Sequence, residues 1–238
     1  MFVYRKDAYF LAKRYITIVL VYLLLLFSAS AGIPIIQHVL LSTTSLSIED
    51  AASYGMVIWS IFSNLLSLAI IIPMLYRKPK ENKIELGEKT KPLLSIVWIV
   101  GGVIGLYAAQ IVCSIIITLI SGDLSNSANT ELLVDLTRAA PIFLIFISIL
   151  GPILEELVFR KVVFGGLSNV MNIHVAAVIS SLFFGLLHGD ISFLLTYFVI
   201  GLILCFLYTK TKRIVVSMGA HILMNTIVLL LSLGIIGG

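Results

Sequence analysis

Apolar positions along this chain fall in long runs, with almost no alternation of polar and apolar residues. Seven runs stand out, centred on residues 16–41, 54–76, 93–120, 139–165, 174–188, 192–209 and 214–236. A hydrocarbon core about 30 Å thick needs about 20 apolar residues at 1.5 Å of rise each. The runs therefore predict membrane-spanning helices, about seven of them. The fifth and sixth are short and divided only by His188, Gly189 and Asp190, so a single re-entrant hairpin competes with two helices there. A transmembrane barrel would show a period of two, which is missing. No internal repeat or low-complexity linker divides the chain, so residues 1–238 read as one integral membrane domain.

Composition supports this pattern. Of 238 residues, 60% are hydrophobic and 12% charged, against about a quarter charged in ordinary soluble domains; a soluble globular enzyme is excluded. The net charge of +4 could suggest nucleic acid, but the basic residues cluster beside apolar runs, as flanks of membrane helices do. Arg5, Lys6, Lys13 and Arg14 precede the first run. Arg77, Lys78, Lys80, Lys83, Lys89 and Lys91 join the second to the third, and Lys210, Lys212 and Arg213 join the sixth to the seventh. The alternate connections, 42–53 and 121–138, carry Glu49, Asp50, Asp123, Glu131 and Asp135 against Arg138 alone. The positive-inside rule then puts the N-terminus in the cytoplasm and, with seven spans, the C-terminus outside.

The start also has the form of a secretory signal, with Ala29-Ser30-Ala31 as a cleavage match. Apolar sequence continues to Leu41, so an uncleaved first helix is expected. Gly101-x-x-x-Gly105 in the third run reads as a close-packing helix face. Cys113 and Cys205 lie inside apolar runs without metal-type spacing and read as buried packing residues.

Ionisable groups in the second half stand where apolar ones would cost less: Glu155, Glu156, Arg160, His188 and His221, with Asn225 beside them. An acid or Arg at the centre of a membrane helix costs about 2.5–3.5 kcal/mol, so together they call for partners or a wet cavity, and a functional site is the default hypothesis. Glu156 and Arg160 are four apart with the acid first, the better order for a helical ion pair. Glu155 is turned about 100° away and stays without its own cation. Gly151-Pro152 predicts a kink or restart just before the acids. A structural ion-pair knot or a membrane rim would use the same three residues. Phe184-x-x-x-His188 and His221-x-x-x-Asn225 each place two side chains on one helical face. His38 and His174 have no such companions and read as interface or loop residues.

Three chemistries suit this set. A carboxylate and an imidazole can deprotonate water, while an imidazole N–H and an amide can stabilise an oxyanion. Glu155, His188 and His221 could instead hold zinc with one open position, although His-Glu-x-x-His is absent. Intramembrane Glu and His also build proton relays. Depth decides whether the groups can meet. If the fourth helix ended at Arg160, Glu155 would lie about 7 Å from the cytoplasmic surface and His188 about 20–24 Å deep. If it runs on to Gly165 or Gly166, Glu155 moves to about 15 Å, close to His221, which lies about 12 Å deep counted from Arg213. The helix is therefore expected to continue, with Arg160 enclosed in the bundle and paired with Glu156.

Glu155-Glu156-Leu-Val-Phe-Arg160, Phe183-Phe184-Gly-Leu-Leu-His188 and His221-Ile-Leu-Met-Asn225, in this order on consecutive apolar helices, resemble the CAAX protease and bacteriocin-processing (CPBP or Abi) family over about residues 139–230. The resemblance implies an all-α CAAX-protease-like core in residues 139–238, behind three variable N-terminal helices in 1–138. It implies an intramembrane endopeptidase acting on a membrane-embedded or membrane-associated peptide in the bacterial cell membrane. Such peptides include bacteriocins and pheromones, in maturation or self-immunity. By that similarity Glu155 and His188 activate water, His221 and Asn225 form the oxyanion hole, and Glu156, Arg160 and Phe184 support the site. A metal-free glutamate mechanism is the expectation, with zinc the alternative. The rival class is a catalytically silent immunity or scaffold protein of the same fold. A transporter would call for paired repeats, which the chain lacks.

Overall fold

The computed structural model describes residues 2–77, 81–122 and 127–235, with side chains from residue 13 onward. Lys78, Lys80, Asp123, the end of the seventh apolar run and the side chains of Arg5 and Lys6 lie outside that description. Among the described residues every regular element is helical: α1 (Phe2–Phe27), α2 (Ala29–Thr43), α3 (Ile48–Tyr76), α4 (Pro92–Ser121), α5 (Ala128–Ala139), α6 (143–168), α7 (Ile173–Leu186), α8 (Leu194–Thr211) and α9 (Ile214–Ser232). Lys13–Thr43, α3, α4, α8 and α9 are long and apolar enough to cross a membrane. With α6 and the shorter α7 in the same bundle, the seven runs are accounted for.

α1 and α2 continue one another with a break at Ser28, six residues before Pro34. Ala29, Ser30 and Ala31 form the first turn after that break. α2 lies close along α3: a Cβ on Gly32 would overlap the Trp59 indole, and one on Gly55 would come within 3.3 Å of the Ile33 carbonyl. The Gly101-x-x-x-Gly105 face is different from its expectation. A Cβ at either position meets no described atom within 4 Å, whereas one on neighbouring Gly102 would press on Leu207 and Ala220. The close approach of α4 to α8 and α9 thus uses the next residue, because packing geometry and not motif spacing sets which face turns inward.

α7 and α8 are two separate helices packed on each other and joined by a tight turn, with Gly189 at φ 71°. α5 is an element that the sequence reading left as connection. Its N-cap is Ser127, whose hydroxyl accepts from Thr130 N, and it packs Leu136 against Val57 of α3 and Phe143 of α6. Cys113 and Cys205 are both buried free thiols. His38 is exposed on α2, and His174 is exposed in the first turn of α7.

α6 is the central element. Every position from Glu156 to Val162 is buried, the signature of a helix surrounded on all sides. At its far end the α3–α4 connection folds beneath it. Buried Asn82 donates to Lys161 O at 3.3 Å and to Tyr208 Oη at 2.9 Å, and its own Oδ1 accepts from Ile84 N and Glu85 N. Lys161 Nζ meets Glu85 Oε1 at 2.5 Å. Thr90 N donates to Thr211 O and Arg213 Nε to Thr90 O, tying the loop to the α8–α9 turn. The basic connection between the second and third apolar runs is thus a folded cap.

Candidate active site

α6 changes its winding as it enters the polar cluster. It runs through Gly151-Pro152 without ending, because the preceding turn, Phe146–Leu150, is widened to i→i+5 bonding and relieves the clash of the proline ring with the carbonyl before it. A second widened stretch, Glu156–Phe164, carries Glu156 and Arg160. Such turns are rare and recur at functional sites.

Glu156 and Arg160 are wholly buried, with Arg160 Nε 3.3 Å from Glu156 Oε1. The guanidinium lies over the Phe184 ring, its Cζ 4.3 Å from the centroid. Arg160 is enclosed in the bundle as the depth arithmetic requires, since α6 runs on to Ser168. Glu155, one residue earlier, keeps a quarter of its side chain exposed.

His221 stands between the two acids. Its Nδ1 is 3.2 Å from Glu156 Oε1 and its Nε2 3.7 Å from Glu155 Oε2. A carboxylate only accepts, so Nδ1 carries a proton toward Glu156. The gap on the other side is too long for a direct hydrogen bond. His188, just past the end of α7, donates from Nδ1 to the Phe184 carbonyl at 2.7 Å, which leaves Nε2 as a lone pair. Its ring stacks on Tyr197 at 4.1 Å and meets Phe184 edge-on at 4.6 Å. Phe184 also lies 5.9 Å from the His221 ring. One buried phenyl ring therefore touches both imidazoles and the guanidinium, which explains an aromatic at that motif position.

Glu155, His188, His221 and Asn225 all line one cavity of about 1100 Å³. Glu155 makes its ion-pair contact with His221. Sequence reasoning missed Tyr197. Asn129 Nδ2 donates to its hydroxyl at 3.3 Å, that hydroxyl meets Ser127 Oγ at 3.0 Å, and Ser127 donates to buried Asp190 at 2.8 Å. The available signal was a tyrosine in an apolar run, whose hydroxyl needs a partner. Among the described residues no three His, Cys, Asp or Glu form a group that could hold a metal ion.

The chain as a whole has relatives among known proteins. Residues 137–227 match the family model described as type II CAAX prenyl endopeptidase Rce1-like. The chain is 35% identical over 221 residues to the putative membrane peptidase YdiL of Bacillus subtilis, covering 93% of this chain and 90% of that one. It is 38% identical over 170 residues to the membrane-embedded CAAX protease MroQ of Staphylococcus aureus, covering 69% and 68%. No solved structure matches. The matched segment holds all three polar motifs, and the Bacillus relative extends the likeness over most of the N-terminal helices; the chain belongs to the CAAX protease family of membrane peptidases.

Proposed function

We propose that the protein is a glutamate-dependent intramembrane endopeptidase that hydrolyses a membrane-associated peptide. The observation that carries the reading is the convergence of Glu155, His188, His221 and Asn225 on one cavity, behind which Glu156 and Arg160 are sealed from solvent. Glu155 is the general base, and the free Nε2 of His188 holds and orients the water. Glu155 takes a proton from the water while the hydroxide oxygen bonds to the scissile carbonyl carbon. The carbonyl π pair moves onto oxygen, where His221 and the Asn225 amide donate to it. Because Nδ1 of His221 already donates to Glu156, Nε2 can donate only when the ring is an imidazolium. The proton then passes from Glu155 to the leaving nitrogen, the C–N bond breaks, and an acid and an amine are released.

The setting is a bacterial cell membrane with the N-terminus cytoplasmic, and the substrate a bacteriocin- or pheromone-like peptide in maturation or self-immunity. Bacterial relatives and the distribution of basic residues support this. The test compares wild type with Glu155→Gln at matched abundance, by mass spectrometry of membrane and secreted peptides. A precursor accumulating only in the variant supports the peptidase. Identical profiles with the cellular phenotype intact would favour the catalytically silent immunity or scaffold reading. Stoichiometric zinc in the purified protein, lost together with activity in chelator, would overturn the metal-free mechanism.

A further inference from the structure

The cavity is not central in the bundle; it belongs to one end. Each long helix that lines it does so with the part remote from its basic flank. α1 contributes Tyr22 and Leu25 beyond Lys13 and Arg14, α4 contributes Gln110 and Ser114 far from Lys91, and α9 contributes its residues from His221 onward, beyond Arg213. α5, whose Glu131 and Asp135 are exposed and also line the cavity, sits at that end, against the N-terminal half of α3. The opposite end holds Arg77, Lys83, Lys89, Lys91, Lys161, Lys210, Lys212 and Arg213, and there the bundle is closed by the folded 81–91 segment through Asn82, Glu85 and Thr90. Among the described residues of the cavity end, Arg138 is the only Lys or Arg, and it is paired with Asp135 at 3.4 Å.

Positive charge marks the cytoplasmic side of a helical membrane protein. Resting on the peptidase reading, we infer that the active-site cavity opens on the non-cytoplasmic face, so that the enzyme cuts polypeptide segments already carried across the bilayer. A translocation step must therefore supply the substrate, and termini presented from the cytoplasm are out of reach.

The lining fits a polypeptide main chain. On α3, Ser60, Ser63, Asn64 and Ser67 share one face at spacings of three, four and seven, and all line the cavity. Ser63 donates to Ser60 O, Asn64 to Ser60 O at 2.9 Å and Ser67 to Ser63 O at 2.7 Å. Ser63 and Ser67 spend their hydroxyl protons within the helix and keep acceptor oxygen, while Asn64 keeps a second amide N–H, a mixture that suits the N–H and C=O groups of an extended chain. Buried Thr196, on the same cavity, has no hydrogen-bond partner for its hydroxyl among the described residues other than the weak thiol of Cys113. A hydrocarbon chain would leave all of these groups facing apolar surface.

Two measurements test sidedness and peptidase activity separately. Leu132→Cys on α5 and Leu86→Cys in the 81–91 segment each replace an exposed leucine; the native thiols are buried, so wild type is the blank. In intact cells a membrane-impermeant maleimide should label Leu132→Cys, and should label Leu86→Cys only after permeabilisation; the reverse pattern overturns the inference. Then a set of water-soluble, membrane-impermeant quenched peptides is offered to right-side-out vesicles, inverted vesicles and detergent-solubilised protein, with Glu155→Gln as the blank. Cleavage in right-side-out vesicles and in detergent, lost in inverted ones, is expected. Cleavage confined to inverted vesicles and detergent overturns the sidedness and leaves the peptidase reading standing. If detergent-solubilised protein cleaves nothing, the peptidase reading fails, and with it the claim about substrate, while the labelling still decides which face the cavity meets.

Discussion

Arg160 and Lys161 are consecutive on α6, both buried and both paired with a glutamate, yet the clusters around them are built on different terms. Lys161 reaches Glu85 at 2.5 Å, Glu85 Oε2 accepts from Asn82 N at 3.4 Å, and Asn82 spends its amide on Lys161 O and Tyr208. Arg160 touches one oxygen of Glu156 and the face of Phe184, and both terminal nitrogens, like Glu156 Oε2, lack a hydrogen-bond partner among the described residues. A buried unsatisfied polar group costs about 1–3 kcal/mol, so the second cluster is the expensive one. Groups left in that condition in a folded protein call for an explanation, and function is the common one. The satisfied clamp holds the bundle end together; the under-satisfied cluster borders the cavity and holds His221.

Substitutions can break that contrast, and the largest effect belongs at the cavity. Glu155→Gln should lower peptide cleavage by about 10²–10⁴-fold, the usual worth of a general base, with thermal unfolding in detergent unchanged because the side chain is partly exposed. Arg160→Met comes next. It leaves Glu156 without its cation and should cost about 3–5 kcal/mol of stability. The double variant Glu156→Gln with Arg160→Met should recover most of that stability in denaturant titration, yet stay impaired in cleavage, because His221 has lost the carboxylate on Nδ1.

The clamp should answer differently. Lys161→Met should destabilise by about 3 kcal/mol, and adding Glu85→Gln should restore both stability and activity per folded molecule. If that double variant remained inactive while stable, the clamp would be part of the site and the contrast would collapse. The smallest effect is expected for Tyr197→Phe, which keeps the stack on His188 but removes the hydroxyl from Ser127 and Asn129. Its cost should be about 1 kcal/mol, and a cleavage assay should show a modest loss compared with Tyr197→Leu, which removes the ring.

Much of this was legible along the chain. The apolar runs anticipated the helices because lipid leaves the backbone no alternative but internal bonding. The enclosure of Arg160 followed from rise per residue: only a helix continuing past it brings Glu155 and His221 to similar depth, and α6 does continue. α5 went unseen since its Ser127 cap and short amphipathic stretch were masked by the acidic residues around them. The fold of the 81–91 cap is not legible because its lysines dominate the composition, while the residues that fold it, Asn82, Ile84 and Glu85, look ordinary in sequence.

The sequence by itself determined that this is a helical membrane protein, which polar residues are too costly to be idle, and which pair on one helix, since the solvent and the helical period act locally. Only the tertiary structure decided that His221 sits between the two acids, that Tyr197 backs His188, that one phenyl ring serves three partners, and that the cavity lies at the acidic end. Those facts depend on which helices become neighbours and how they are rotated, and both are set by packing around α6, where seven consecutive buried positions must all find partners at once.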